Sequence, residues 1–226
     1  SLGLAYVTSQ QALAPALLGV LLPAVSVTAL FLSVGLNRVL GQYFGLPALS
    51  LPFIVLTVLL YLFIYTFTAT PVLGNQPACW LPEPTFLPSV VTQFFQALGA
   101  TLFLPNVLVG MVAAAALLYQ SRLMFLCGVW GFACGTFFLS LTGLSASAFG
   151  AGWLGTNFIF CGIAFGCVYY IPSRSSLVLA ALGPIVCILL ATGLRTFLRN
   201  YNIPPLSLPF VLVVMSVVYA LRQRER

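Results

Sequence analysis

The chain has almost no charge. Of its 226 residues 4% are charged: two acids, Glu83 and Glu225, and eight basic residues, all Arg. A soluble domain carries roughly 25% charged residues, so no water-facing surface can be built from this set. Histidine and lysine are absent. Without His no Ser–His–acid triad can form, and a zinc site is improbable, the more so because the six cysteines contain no CxxC pair. Five of them, Cys127, Cys134, Cys161, Cys167 and Cys187, lie in apolar runs, where a thiol packs as a small hydrophobe, while Cys79 sits in a loop. No GxxxxGK[ST] loop occurs, so the chain does not itself use ATP. The net charge of +6 raises nucleic acid as a partner, but basic nucleic-acid domains gather their charge on one wet face. Here the arginines punctuate apolar runs, as loop charges do in a membrane protein. No nucleic-acid partner, metal or cofactor is expected.

What is abundant is apolar sequence: 62% of residues, with a mean hydropathy of +1.14. Runs long enough to cross a bilayer of about 30 Å fall near 12–36, 48–68, 106–121, 123–142, 157–172, 176–197 and 205–221. Residues 91–104 and 143–156 are apolar but broken by Gly and small side chains. They read as re-entrant or interfacial pieces, which are allowed only where protein or a cavity shields the backbone. The fold class is therefore an all-α, multi-pass membrane protein.

The tail Arg222-Gln223-Arg224-Glu225-Arg226 marks the cytoplasmic side. Counting back through seven spans puts Arg38, Arg122 and Arg174 on the side of the tail, and Arg195 and Arg199 on the other. The stretch 69–90 then lies outside, and its prolines (Pro71, Pro77, Pro82, Pro84 and Pro88) argue against a regular helix there.

One segment occurs twice. Leu46-Pro47-Ala48-Leu49-Ser50-Leu51-Pro52-Phe53 returns as Ile203-Pro204-Pro205-Leu206-Ser207-Leu208-Pro209-Phe210, 157 residues on, and Arg38 and Arg195 match at the same offset. By the span count the two copies run in opposite directions. Inverted repeats in transporters place the substrate path at their interface near the midplane. Residue 1 is not Met, and Leu2-Gly3-Leu4-Ala5-Tyr6 is like Cys161-Gly162-Ile163-Ala164-Phe165 inside a span. The reading is a chain that begins within a membrane helix. Residues 1–70 form the latter part of the first repeat, 71–90 an extracellular linker, 91–221 the second repeat and 222–226 a cytoplasmic tail.

The paired LPxxSLPF-like segments, the Pro-rich outer linker and the block Gly155-Thr156-Asn157 before Cys161-Gly162-Ile163-Ala164 resemble the urea transporter family along essentially the whole chain. The resemblance implies two inverted repeats around a central pore, ten membrane helices, a pore in each protomer and usually a homotrimer, in a plasma or bacterial inner membrane. It implies that Ser50 and Ser207, where the family has Thr, line the middle of the pore; the alternative is a Ser bonded to its own helix backbone. It places an aromatic slot at Phe103, Thr156 and Phe160. Thr156 stands where Phe or Tyr is expected and Phe160 where Leu is expected, so the ring is moved one turn along the same helix face. Plain helix packing is the alternative for Phe103 and Phe160. Asn157 is retained. Ala100, with Thr101 beside it, stands where the family has Gln or Glu, which removes an amide partner for the solute.

Urea is neutral and planar, with four N–H donors and one carbonyl acceptor. Desolvating one unpaired amide costs about 2–7 kcal/mol, so a narrow path must offer oxygens in succession. Backbone carbonyls at broken helices and serine hydroxyls supply them. A proton-coupled carrier needs an intramembrane Asp, Glu or His, and the apolar runs contain none. The function expected is passive, channel-like urea conduction. The alternatives are a channel of the same fold for ammonia, a short amide or water, and a membrane subunit of a flavin-containing redox complex, which Gly99-Ala100-Thr101 evokes only weakly. Paired glycines, Gly131 with Gly135 and Gly162 with Gly166, predict close helix packing.

Overall fold

The computed structural model describes residues 15–68, 87–143, 152–198 and 206–224. Most of the linker, with Cys79 and Glu83, lies outside the described residues, as do the Leu2–Tyr6 stretch, most of 143–156, Arg199, and Glu225 and Arg226 of the tail.

All regular structure among the described residues is helical. Helix α1 (Pro15–Val39) runs on into a π-turn at Leu40–Phe44. Then follow α2 (Leu51–Thr68), α3 (Ser89–Ala100), α4 (Val107–Gln120) and α5 (Arg122–Thr142). Helix α6 (Trp153–Ile163) continues into a second π-turn at Ala164–Val168, and α7 (Arg174–Leu198) and α8 (Leu208–Arg224) complete the chain. The protein is an all-α membrane protein. Pro23–Phe44, α5 and α7 are long and apolar enough to cross a bilayer.

Helices α3 and α4 are too short for that. At 1.5 Å per residue they span about 18 and 21 Å, against about 30 Å of hydrocarbon. They fold back on each other as a hairpin. A Cβ on Gly110 would fall on the Phe95 backbone, so the two helices touch main chain to main chain. The turn between them carries Phe103 at φ 61, and Asn106 caps α4 by accepting from Leu108 N at 2.9 Å. The apolar piece expected over 91–104 is thus a half-length helix followed by this turn.

Helices α5, α6 and α7 form the packed centre. Gly131 of α5 lies against Gly162 of α6, where an added Cβ would come within 2.7 Å of the Gly162 Cα. Gly135 faces the Phe158 ring and Gly166 faces Cys127. Residues ascending on α5 thus meet residues descending on α6, so the pair is antiparallel. Gly183 of α7 packs on the Phe165 ring, and the Cys161 and Cys187 thiols lie 3.3 Å apart, so α7 runs against α6 in turn. Trp130 Nε1 donates to the Leu177 carbonyl at 3.2 Å, which sets the starts of α5 and α7, and with them Arg122 and Arg174, at one end of the bundle.

Helix α6 is apolar on nearly every face and buried on nearly every face, as expected of a core helix. Phe158 and Ile159 at its centre, and Phe165 in the π-turn that follows, are at most 1% exposed. The outward sides of α4, α5 and α7 present Val112, Phe137, Leu141 and Leu189, each over 60% exposed. A water-soluble monomer rarely shows so continuous an apolar skin; lipid is the solvent that suits it.

The close α5–α6 approach generates a prediction. Gly162→Val puts methyl groups into the Gly131 and Cys127 backbone and should destabilise the protein by about 1–3 kcal/mol or more, the usual cost of overpacking. Gly35→Ala, where nothing lies within 4 Å of an added Cβ, should be neutral or stabilising. Thermal unfolding in detergent would measure both.

Candidate functional site

The two copies of the repeated segment adopt the same local backbone. Leu49 and Leu206 both sit at φ 46, in the left-handed region that a residue with a Cβ enters at a cost of roughly 1–2 kcal/mol. Each is followed by a Ser and then by the first residue of a helix, Leu51 of α2 or Leu208 of α8. The helices start alike: Ser50 and Ser207 offer their carbonyls to the first intrahelical donors, Ile54 N at 3.0 Å and Val211 N at 3.1 Å. Pro52 and Pro209 occupy the first turn, where a missing N–H costs nothing.

These turns bring the two serines together. Ser50 Oγ and Ser207 Oγ are 3.0 Å apart, a direct hydrogen bond between half-buried hydroxyls. Around them the aromatic residues pair off. Phe103 packs on Phe53 of the first copy, with ring centres 5.4 Å apart, and on Trp153 at 5.6 Å. Phe160 packs on Phe210 of the second copy at 5.4 Å. Each copy therefore presents one hydroxyl and, three residues on, one ring that carries a further ring. Behind the first copy a groove of about 460 Å³ opens between α1 and α2, lined by Ser26, Ala29, Leu49, Pro52, Phe53 and Thr57 among others.

The remaining candidates have other partners. Thr156 is 3% exposed. Its Oγ1 shares its proton between the Ala97 carbonyl at 2.7 Å and the Gly152 carbonyl at 2.9 Å. Ala97 lies in the last turn of α3, where carbonyls have lost their helical partners, so Thr156 ties α6 to the end of α3. Thr101 spends its hydroxyl locally, donating to the Leu98 carbonyl at 2.6 Å. Ala100 is wholly buried; its side chain is apolar and its carbonyl accepts from Phe103 N at 3.0 Å. Asn157, 2% exposed, makes three bonds. Its Nδ2 donates to the Trp153 carbonyl at 2.8 Å and to the Leu206 carbonyl at 2.9 Å, and its Oδ1 accepts from Phe210 N at 3.1 Å.

Sequence reasoning did not single out Phe53, Phe210 or Trp153. The first two stand inside the duplicated motif, so the repeat itself was the available signal. Trp153 offers none beyond its place one turn before Asn157. Among the described residues the three non-glycine residues at positive φ, Leu49, Phe103 and Leu206, are all at this site. Such outliers persist only where the surroundings over-determine them, and they gather at functional sites.

Compared with known families, residues 1–222 match the family model described as urea transporter. No curated protein matches the chain.

If Thr156 is a tie between helices, Thr156→Val leaves the Ala97 carbonyl unpaired and should cost about 1–3 kcal/mol. The loss should show as a lowered unfolding midpoint in detergent with an unchanged order of solute permeabilities. A changed order at unchanged stability would place Thr156 on the solute path instead.

Proposed function

We propose that this chain, which belongs to the urea transporter family, conducts urea passively down its gradient through a passage whose narrowest point is the Ser50–Ser207 pair. The 3.0 Å contact between the hydroxyls of the two repeat copies carries the reading. In the absence of solute one hydroxyl donates to the other, which makes a neutral constriction closed by a single hydrogen bond. A solute entering between them must replace a donor and an acceptor together, and urea carries both. The rings on Phe53 and Phe210 supply flat apolar walls that suit a planar molecule and offer a hydrated ion nothing.

In this reading the copies at 1–70 and 91–221 are inverted repeats that meet at mid-bilayer. The equal φ of Leu49 and Leu206 and the meeting serines support this. Uncoupled flow is favoured because both acids of the chain, Glu83 and Glu225, fall outside the apolar runs, leaving no intramembrane acid or His to relay a proton. The orientation proposed has the tail in the cytoplasm. Arg122 and Arg174 start neighbouring helices at one end, and Arg222 donates to the Gly45 carbonyl, just past the helix that carries Arg38. A shared arginine-rich end faces the cytoplasm in most membrane proteins. The proposed assembly is a homotrimer, with the apolar outer faces divided between lipid and neighbouring protomers.

Urea uptake into proteoliposomes, measured beside formamide, acetamide, ammonia and water, tests the function. Saturable urea flux is expected, and Ser50→Ala or Ser207→Ala should each lower it about five- to tenfold, the worth of one hydrogen bond of roughly 1 kcal/mol. Flux of another of these solutes without saturable urea flux would assign the path to that solute. Because no His titrates between about pH 5 and 8, urea flux should be flat with pH over that interval; a steep dependence would contradict uncoupled flow.

A further inference from the structure

Ser207 occupies the N-cap position of α8, since its carbonyl accepts the first intrahelical bond, from Val211 N at 3.1 Å. A Ser at that position ordinarily turns its Oγ onto the N–H of the second or third helical residue. The second residue of α8 is Pro209, which has no N–H. The third is Phe210, and its N–H is already taken, by Asn157 Oδ1 at 3.1 Å. The amide of Asn157 has only one sensible orientation. Its other end faces the carbonyls of Trp153 and Leu206 at 2.8 and 2.9 Å, which only an NH₂ group can satisfy. Asn157 thereby caps α8 from a different helix and, through the Leu206 carbonyl, holds the left-handed turn in front of Ser207. The Ser207 hydroxyl, relieved of its usual partner, points instead to Ser50.

We infer that Asn157 is a positioning residue: by capping α8 in place of Ser207 it frees the Ser207 hydroxyl to face Ser50 on the solute path. A path-lining role would need the Asn157 amide to bind solute, yet its oxygen and both of its N–H groups are engaged with backbone, and the side chain is 2% exposed. Without the Asn157 oxygen, the Phe210 N–H becomes an orphan donor in a dry environment. The acceptor that an N-cap Ser ordinarily offers such an N–H is its own Oγ, so Ser207 Oγ would rotate onto the helix end and leave Ser50. The functional consequence rests on the transport reading; the geometric one does not.

Two measurements test the inference. The first is a high-resolution structure of Asn157→Ala in lipid nanodiscs. Ser207 Oγ is expected within about 3 Å of Phe210 N, a normal hydrogen-bond distance, and parted from Ser50. Asn157→Asp, whose carboxylic acid form keeps an acceptor for Phe210 N–H and one donor for the Leu206 carbonyl, is expected to retain the Ser50–Ser207 contact, and it carries the test if Asn157→Ala does not assemble. A Ser50–Ser207 bond intact in Asn157→Ala, or broken in Asn157→Asp, overturns the inference whatever the flux. The second is a double-mutant cycle on urea flux. Asn157→Ala should lower flux about tenfold, the loss expected for one buried hydrogen bond, and should lower it no further in a Ser207→Ala background, because residues that act through one another are non-additive. Equal losses in both backgrounds would make Asn157 a general structural residue. Absence of urea flux in the unmodified protein would overturn the transport reading and leave the structural measurement to decide the inference alone.

Discussion

In hydrocarbon there is no water to accept a stray N–H or to donate to a stray carbonyl, and each unsatisfied backbone group costs several kcal/mol. Every place where this chain breaks a helix must therefore find a protein partner. The partners are visible. Thr156 reaches the Ala97 carbonyl where α3 ends, Asn106 caps the start of α4, Asn157 serves both the Leu206 carbonyl and the Phe210 N–H, and Arg222 donates to the Gly45 carbonyl after the first π-turn. Several of the polar side chains of this apolar protein are thus spent on mending breaks in its own backbone, while many Ser and Thr hydroxyls bond back within their own helices.

If solute crosses between the two copies as proposed, the breaks supply the polar surface it needs inside an apolar bundle. An unbroken helix shows lipid or its neighbours only side chains, and here those side chains are overwhelmingly hydrocarbon. At a break a carbonyl or a cap hydroxyl can be turned outward. The 3.0 Å meeting of Ser50 and Ser207 is such a place, and it is uncharged, so it can be buried without the cost of an intramembrane ion. The dense α5–α6–α7 packing, built on glycines whose neighbours leave no room for a Cβ, holds α6 still. On α6 depend Asn157, Thr156 and Phe160, and through them the aim of the second turn.

Much of this was legible beforehand. The apolar runs became helices: the run at 123–142 is Arg122–Thr142, and the run at 157–172 begins four residues earlier, at Trp153. The run at 106–121 is the helix Val107–Gln120, but its 14 residues are too few for the full crossing expected of it. The spaced glycines are the α5–α6 contact. The LSLPF repeat became two turns with the same φ. What could not be read was the occupation of single polar groups. Thr156 and Asn157 look the same in sequence whether they face a solute or a carbonyl on a neighbouring helix, because the decision lies with a residue 59 or 49 positions away. The left-handed Phe103 was equally hidden, since a bulky aromatic at positive φ contradicts local preference and is imposed by its setting between Phe53 and Trp153.

The two turns are alike in shape and unlike in support. A common local sequence explains the shape: a Ser at the cap, a Pro in the first turn and a Phe at the third helical position are present in both copies, and these residues act only over a few bonds. Support comes from elsewhere. The second turn is gripped by Asn157 of α6, while the first lies between the Gly45 end of α1, which receives Arg222, and Phe53, which receives Phe103. A positive-φ leucine is not self-sustaining, so each turn needs its own surroundings to persist. The shared local sequence therefore accounts for two equivalent hydroxyls, and the differing tertiary partners account for their pointing at each other. Two oxygens that share a local sequence and are aimed by unrelated contacts can be altered on one side without disturbing the other.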